Sequence, residues 1–284
     1  MKIIKRKKGN QEYFYLQHSY RENGKVMTKE KYLGKTIPKD IDKIKAEFKK
    51  SYQKEIYKKL EHIKKHFQEE WKKLPKTIQE KEKEEIAIAF TYNSNAIEGS
   101  TITLEETREI IHDNIAPNKN LDDIKETEAH SEVFLNMLKK KEKLTNKLLL
   151  KWHKDIFGET KEDIAGVFRT YNVRVGPYIA PEWQEVKNLM KDFIRFSEKN
   201  IFLNPVELAA RAHYRFESIH PFGDGNGRIG RLLMNHILWY AGYPMLIIEY
   251  KKRGSYYKAF PRGEEGFVNY FLKRYLAVHK KRIR

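Results

Sequence analysis

Ile41, Ile44, Phe48, Tyr52, Ile56, Leu60, Ile63 and Phe67 recur at steps of three or four along an otherwise charged stretch, residues 39–73. Such spacing puts every apolar side chain on one stripe of a helix and is incompatible with a strand, whose period is two. The same period governs most of the chain beyond Glu80, so the protein is predicted to be mainly α. Helices are expected over residues 84–97, 122–138, 145–156, 183–199, 205–218 and 226–242, with two short helices and a basic tail in 253–284. The punctuation agrees. Pro75 breaks the first rod, Thr103 with Glu106 forms a capping box before Ile110-Ile111, and Asn204-Pro205 supplies an N-cap followed by proline at the first helical position.

Two segments depart from this period. In residues 1–36, aromatics crowd the run Glu12-Tyr-Phe-Tyr-Leu-Gln-His-Ser-Tyr20. Asn23-Gly24 stands between that run and Lys31-Tyr-Leu-Gly34, a hairpin signal, and Gly9-Asn10 marks an earlier turn. A small, basic antiparallel β-meander is expected. The second segment spans residues 166–181, where Val167, Tyr171, Val173, Val175 and Tyr178 imply a short hairpin turning at Gly176-Pro177. The organisation read from these shifts is a meander at 1–36, a helical arm at 37–79, a main helical domain at 80–252, and C-terminal helices with a tail at 253–284.

Composition excludes several classes of function. The 284 residues contain no cysteine, which rules out disulfides, thiolate metal sites and cysteine nucleophiles. No apolar run approaches the roughly 18 residues of a membrane span, and no h-region follows the basic residues 1–8, so a cytoplasmic protein without a membrane role is expected. With 57 Lys+Arg against 39 Asp+Glu the formal charge is +18, which favours polyanionic partners. Much of that excess lies on Lys-rich helical faces such as Lys58-Lys59 and Lys72-Lys73, where solvation is explanation enough. Tyr13 to Tyr20 could stack on nucleic acid, but alternate aromatics also pack a plain strand face.

The segment richest in chemistry is His220-Pro-Phe-Gly-Asp-Gly-Asn-Gly-Arg-Ile-Gly-Arg231. Gly223, Gly225 and Gly227 make a turn feeding a helix start, which exposes backbone N–H groups to an anion at the positive end of the helix dipole. Arg228 and Arg231 are three apart on that helix and can reach further phosphates with forked donors. Asp224 inside such a nest makes sense if a Mg²⁺ bridges it to phosphates. His220, with an unperturbed pKa near ~6.5, can take a proton from a hydroxyl. Taken singly, each feature has a bland explanation: a scaffold turn, a structural histidine, a solvated arginine pair. Together, within twelve residues, they are hard to explain as scaffold. No Gly-Lys-Ser/Thr follows the glycines, so this is not a Walker A loop.

The segment also resembles the Fic signature, H-x-F-x-[D/E]-G-N-G-R-x-x-R, at every fixed position. Leu232-Leu-Met-Asn235, Ala241-Gly-Tyr-Pro244, and Gly166-x-Phe-Arg169 leading into Val173-x-Val-Gly176 extend the likeness over about residues 80–260. The resemblance implies protein AMPylation: transfer of AMP from ATP to a Ser, Thr or Tyr hydroxyl of a target protein, with release of pyrophosphate. It implies His220 as general base, Phe222 as a core anchor, and Asp224 as ligand of Mg²⁺, with Mn²⁺ as a substitute. The amides of Gly225, Asn226 and Gly227 would hold phosphates, Arg228 the β-phosphate and Arg231 the γ-phosphate. Asn235, Tyr256 and Tyr257 would lie near ribose and adenine. The hairpin carrying Val173, Arg174, Val175 and Gly176 would be the flap that clamps a target segment by strand pairing.

Upstream, Ser94-Asn-Ala-Ile-Glu98-Gly99 closes the helical stretch 84–97, with Ser94 and Glu98 on one face and Gly99 as terminator. Alone, this is an ordinary helix end. Beside a Fic core it resembles the family's inhibitory motif, [S/T]-x-x-x-E-[G/N], and implies that Glu98 competes with the γ-phosphate for Arg231. Alternatives remain at this level: an enzyme acting mainly as a deAMPylase, a phosphotransferase binding its nucleotide reversed, or a nucleic-acid-binding regulator with a residual nucleotide site. Family relatives often dimerise, and residues 39–73 offer a surface for it. His213 is expected to be a buried, hydrogen-bonded histidine, and Trp239 and Tyr240 core or interface residues.

Overall fold

In the computed structural model, residues 1–22 and 25–283 are described, so the Asn23-Gly24 turn lies outside the described residues. They form two compact units, one built on Met1–His62 and one on Ile63–Arg282. The division falls inside the first long helix.

The first unit is an antiparallel sheet in the order β1 (Lys2–Lys8), β2 (Gln11–Glu22), β3 (Lys25–Gly34), followed by the start of α1 (Ile41–Lys73). Lys8 pairs with Gln11 across the Gly9-Asn10 turn, and β2 is bulged at Phe14/Tyr15 against β3. Alternation gives the sheet two faces. One, carrying Leu16 and Leu33, is buried together with Ile56 and Leu60 of α1, and Lys31 reaches Glu47 at 3.7 Å. The other carries Tyr13, Tyr15 and Tyr32, with Arg6 5.0 Å from the centre of the Tyr15 ring. The meander thus shares its unit with part of the helical arm.

The second unit is helical apart from one small hairpin. Its elements are α2 (Lys76–Ile97), α3 (Leu104–Arg108, continued by a π-turn to Asp113), α4 (Leu121–Lys139), α5 (Asn146–Phe157), the hairpin β4 (Arg174–Val175) and β5 (Tyr178–Ile179), α6 (Trp183–Lys199), α7 (Pro205–Ile219), α8 (Asn226–Tyr240), α9 (Arg253–Tyr257) and α10 (Gly263–Val278). The C-terminal region differs from the expected two short helices: α10 runs sixteen residues, because Phe267, Phe271 and Tyr275 bury a full stripe.

Capping residues set the helix starts as read. Thr103 and Glu106 exchange both capping-box bonds, at 3.1 and 2.8 Å. Asn204 accepts from the Val206 amide at 3.0 Å, leaving Pro205 free of any donor obligation. The core joins Phe90 of α2, Phe134 of α4, Trp152 and Phe157 of α5, Phe216 of α7 and Leu232 of α8 around Phe222. The central pair is α7 and α8, and the loop between them is the glycine-rich segment. Among the described residues no helix is long and apolar enough to cross a membrane.

Candidate active site

α7 ends at His220, whose backbone sits in the left-handed region at φ +51°. A non-glycine residue there costs about 1–3 kcal/mol unless its surroundings hold it. Arg169 does much of that holding. Its backbone amide donates to the Pro221 carbonyl at 2.9 Å, and its guanidinium donates to the carbonyls of His220 at 2.8 Å, Tyr171 at 3.0 Å and Pro181 at 2.6 Å. One buried side chain therefore fixes the catalytic-loop backbone and both ends of the hairpin. The His220 ring hydrogen-bonds to the Glu217 carbonyl, a bond of its own helix end. Burial, with Arg169 adding to it, holds the imidazole below its usual pKa, so the neutral form predominates at neutral pH.

Beyond His220 the loop is tied inward at three points. Phe222 is fully buried and stacks on the His153 ring at 3.9 Å. The Asn226 carboxamide accepts from the Phe222 amide at 2.8 Å and donates to its carbonyl at 2.9 Å. His153 receives the Gly166 amide on Nδ1 at 2.9 Å, so its proton is on Nε2 and is donated to the Asp224 carbonyl at 3.0 Å. Burial lowers the His153 pKa to about 4, which keeps this tautomer neutral.

Gly225, at φ +75°, lies against Phe157, where a Cβ would come within 2.4 Å of the ring. Gly225→Ala is expected to cost roughly 2–4 kcal/mol, from left-handed backbone plus overpacking, and urea denaturation measures it.

α8 begins at Asn226 without a side-chain cap. Its first amides, on Asn226, Gly227 and Arg228, have no intrahelical acceptor and make an anion nest. The Gly225 amide is not free: it donates to the Asp224 carboxylate at 2.6 Å. Asp224 is half-exposed and receives Lys161 at 2.8 Å. Burial opposes its ionisation, but Lys161 and Arg228 outweigh burial and hold its pKa below the usual carboxylate value. Arg228 is buried on Glu126 and stacks 4.3 Å from the Phe157 ring centre.

Arg231 is buried behind the nest. Its Nε donates to Ser94 Oγ at 2.9 Å, and its Nη2 donates to the Ser94 carbonyl at 2.9 Å and to Glu98 Oε1 at 2.7 Å. Glu98 is the C-cap of α2, with Gly99 beyond it at φ +100°. The last turn of α2 is pinned by Asn95, which reaches Thr127 at 3.1 Å and His130 at 3.0 Å. A Cβ built on Gly227 would stand 2.1 Å from Glu98 Oε1. The carboxylate therefore lies directly over the first turn of α8.

Residues 143–238 match the model of the Fic/DOC family. Protein adenylyltransferase Fic of Drosophila melanogaster is 37% identical over 202 residues, covering 67% of this chain and 40% of its own length. That of Nematostella vectensis is 35% identical over 190 residues, covering 64% of this chain and 44% of its own. This chain belongs to the Fic family. It spans about two fifths of the length of the Drosophila relatives it matches. Among solved structures, a Fic domain containing signaling protein from Bacteroides thetaiotaomicron superposes with TM-score 0.69 at 25% identity, over 79% of this chain and 95% of that one. Fic-1 from C. elegans gives 0.70 at 26%, over 86% and 76%.

On this Fic core, His220, Asp224, Asn226, Gly227, Arg228, Arg231, Ser94 and Glu98 come together around the glycine-rich loop and the start of α8. Others do not. The Asn235 carboxamide is committed to backbone, donating to Arg231 at 3.1 Å and Leu246 at 3.2 Å and accepting from the Leu246 amide at 2.9 Å. It ties α8 to the segment around Leu246. Tyr256 is fully buried, its hydroxyl 2.7 Å from His213 Nε2, which makes His213 the buried, hydrogen-bonded histidine expected. Tyr257 is half-exposed, donating to the Ile97 carbonyl at 3.2 Å. In the flap, Arg174 pairs with Ile179 and Val175 with Tyr178 around Gly176, while the Val173 carbonyl accepts from Ala180 at 3.3 Å. Tyr178 anchors it to the Ser218 carbonyl at 2.6 Å, and Val175 and Ile179 are exposed.

Sequence reasoning assigned no role to His153, Glu126 or Lys161, and named Arg169 only as part of a family segment. Glu126 lies 102 residues from Arg228, and no local pattern links them.

Proposed function

We propose that this chain is a protein adenylyltransferase that moves AMP from ATP to a hydroxyl side chain of a target protein. The observation that carries the proposal is the juxtaposition of His220, held neutral by burial, with an anion nest and two buried arginines. The target oxygen attacks the α-phosphorus, its proton passes to the His220 imidazole, the bond from that phosphorus to the pyrophosphate oxygen breaks, and pyrophosphate departs. The first amides of α8 and Arg228 stabilise charge along the phosphate chain, which is most of what phosphoryl-type transfer asks of a protein. Two curated relatives named as protein adenylyltransferases, alike over about two thirds of this chain, support the same reading.

Among the described residues no group of three or more His, Asp and Glu could enclose a metal ion, and Asp224 is the carboxylate beside the nest that would hold one. A single half-exposed carboxylate beside a phosphate site fits Mg²⁺ or Mn²⁺, which take few protein ligands and keep phosphate oxygens and water. The ion would supply charge neutralisation on the phosphates when bound.

Glu98 on Arg231 reads as a brake on the γ-phosphate site. The same carboxylate, standing over Gly227, also favours a second reading in which it orients a water for removal of AMP from the target. The exposed edge of the flap would align a target segment by strand pairing. The Tyr13, Tyr15 and Tyr32 face with Arg6 is a stacking surface suited to single-stranded nucleic acid as a separate partner.

Incubating the Glu98→Gly variant with Mg-ATP and following adducts by mass spectrometry tests the assignment: gain of an adenylyl group is expected, and gain of a phosphoryl group would overturn it. The pH dependence is a further check. A base must be neutral to act, and the His220 pKa is lowered, so transfer persists below neutrality. It is lost only as pH falls through a midpoint beneath ~6.5. A midpoint above that value in the rate profile of Glu98→Gly would remove His220 as the group titrating.

A further inference from the structure

Four charged side chains form a closed ring beside the nest. Arg228 is held by Glu126, and Glu126 also receives Lys161 at 2.6 Å and Thr160 at 2.9 Å. Lys161 reaches Asp224 Oδ2 at 2.8 Å, and Arg228 Nη2 stands 3.7 Å from the same oxygen. The backbone beneath Lys161 is fixed: its amide donates to the Phe157 carbonyl at 2.8 Å, and its carbonyl accepts from Ile164 at 3.1 Å and Ala165 at 2.9 Å. Its ammonium also sits 5.1 Å from the Phe157 ring centre, on the ring that carries Arg228. The ring thus links the proposed metal ligand to the proposed β-phosphate arginine through two residues with no assigned role.

We infer that Lys161 is a positioning residue that sets the divalent-cation requirement of the site and couples it to Arg228. The inference rests on the adenylyltransferase reading and concerns this chain's own residues. An ammonium and a divalent cation on one carboxylate oxygen repel each other, so a cation arriving at Asp224 displaces Lys161. Of the two carboxylates that Lys161 contacts, Glu126 then remains, and the ammonium turns onto it. A carboxylate neutralised by Lys161 holds Arg228 less tightly, and the guanidinium is released toward the phosphates. Metal at Asp224 and phosphate at Arg228 thereby favour one another, as linkage requires.

The test is calorimetric titration with ADP at graded Mg²⁺. ADP lacks the γ-phosphate that Glu98 opposes at Arg231, and the obstruction that Glu98 places over Gly227 is common to every protein compared. In wild type, ADP affinity should rise with Mg²⁺, and Asp224→Asn should remove that rise. In Lys161→Met the Mg²⁺ concentration giving half the effect should fall about fivefold, the size expected for a partly exposed ion pair, while Lys161→Arg should stay near wild type. Glu126→Gln should bind ADP more tightly than wild type when Mg²⁺ is withheld, because Arg228 is no longer held. An unchanged midpoint in Lys161→Met, alongside a wild-type effect that depends on Asp224, would overturn the role of Lys161 and leave the adenylyltransferase reading standing. Absence of ADP binding, or a Mg²⁺ effect indifferent to Asp224→Asn, would overturn both. Circular-dichroism melts exclude loss of fold as the cause of any shift.

Discussion

Glu98→Gly is expected to raise self-AMPylation with Mg-ATP by about ten- to a hundredfold over wild type, the factor set by freeing one charge-assisted hydrogen bond on a buried arginine. The reasoning runs through two observations. Arg231 gives Nη2 to Glu98 at 2.7 Å and to the Ser94 carbonyl, and Nε to the Ser94 hydroxyl, so a γ-phosphate competes with the carboxylate for this guanidinium. The Glu98 oxygen also lies 2.1 Å from where a Cβ on Gly227 would stand, so it competes for the space above the nest as well as for the guanidinium. Removing the side chain clears both. The end of α2 that carries it is tied to α4 through Asn95, Thr127 and His130. Arg231→Ala in the same background should cancel the gain. A labelled-ATP gel and calorimetry on the three proteins measure it, and equal activity in wild type and Glu98→Gly would reduce the upstream segment to a helix end.

His220→Ala, made in the Glu98→Gly background, should lower transfer by about 10²–10⁴-fold, the usual contribution of a general base. ATP binding should change little, because the imidazole acts on the incoming hydroxyl and the nucleotide is held by α8 and the arginines. The division between a lost rate and a preserved affinity is the signature to look for. Arg169→Met separates chemistry from positioning. It keeps the imidazole but leaves the carbonyls of His220, Tyr171 and Pro181 without their shared donor, so it should lower both rate and melting temperature. A variant that lost ATP binding together with rate at His220→Ala would place the residue in the nucleotide site.

The chain by itself determined the elements and the order of the reacting groups. Helix boundaries followed from apolar period and capping residues, such as Asn204-Pro205 and Thr103 with Glu106, because those interactions are local and close within one turn. The nest was legible for the same reason: His220, the glycines, Arg228 and Arg231 lie within one loop and one helix start, and their spacing alone places them. Ser94 and Glu98 were legible as a pair, and their link to Arg231 came from the family resemblance. What only the tertiary structure decided is which partner each group meets across the core. Arg228 meets Glu126, Asp224 meets Lys161, the Asp224 carbonyl meets His153, and the strained backbone of His220 meets Arg169. Asn235, which reads as a ligand, is spent on the backbone of Leu246. These pairings join residues brought together by burying Phe90, Phe134, Phe157, Phe222 and Leu232 in one core. Burial of apolar surface is non-directional, so it brings polar groups into contact without leaving any periodic trace of the pairing in the sequence.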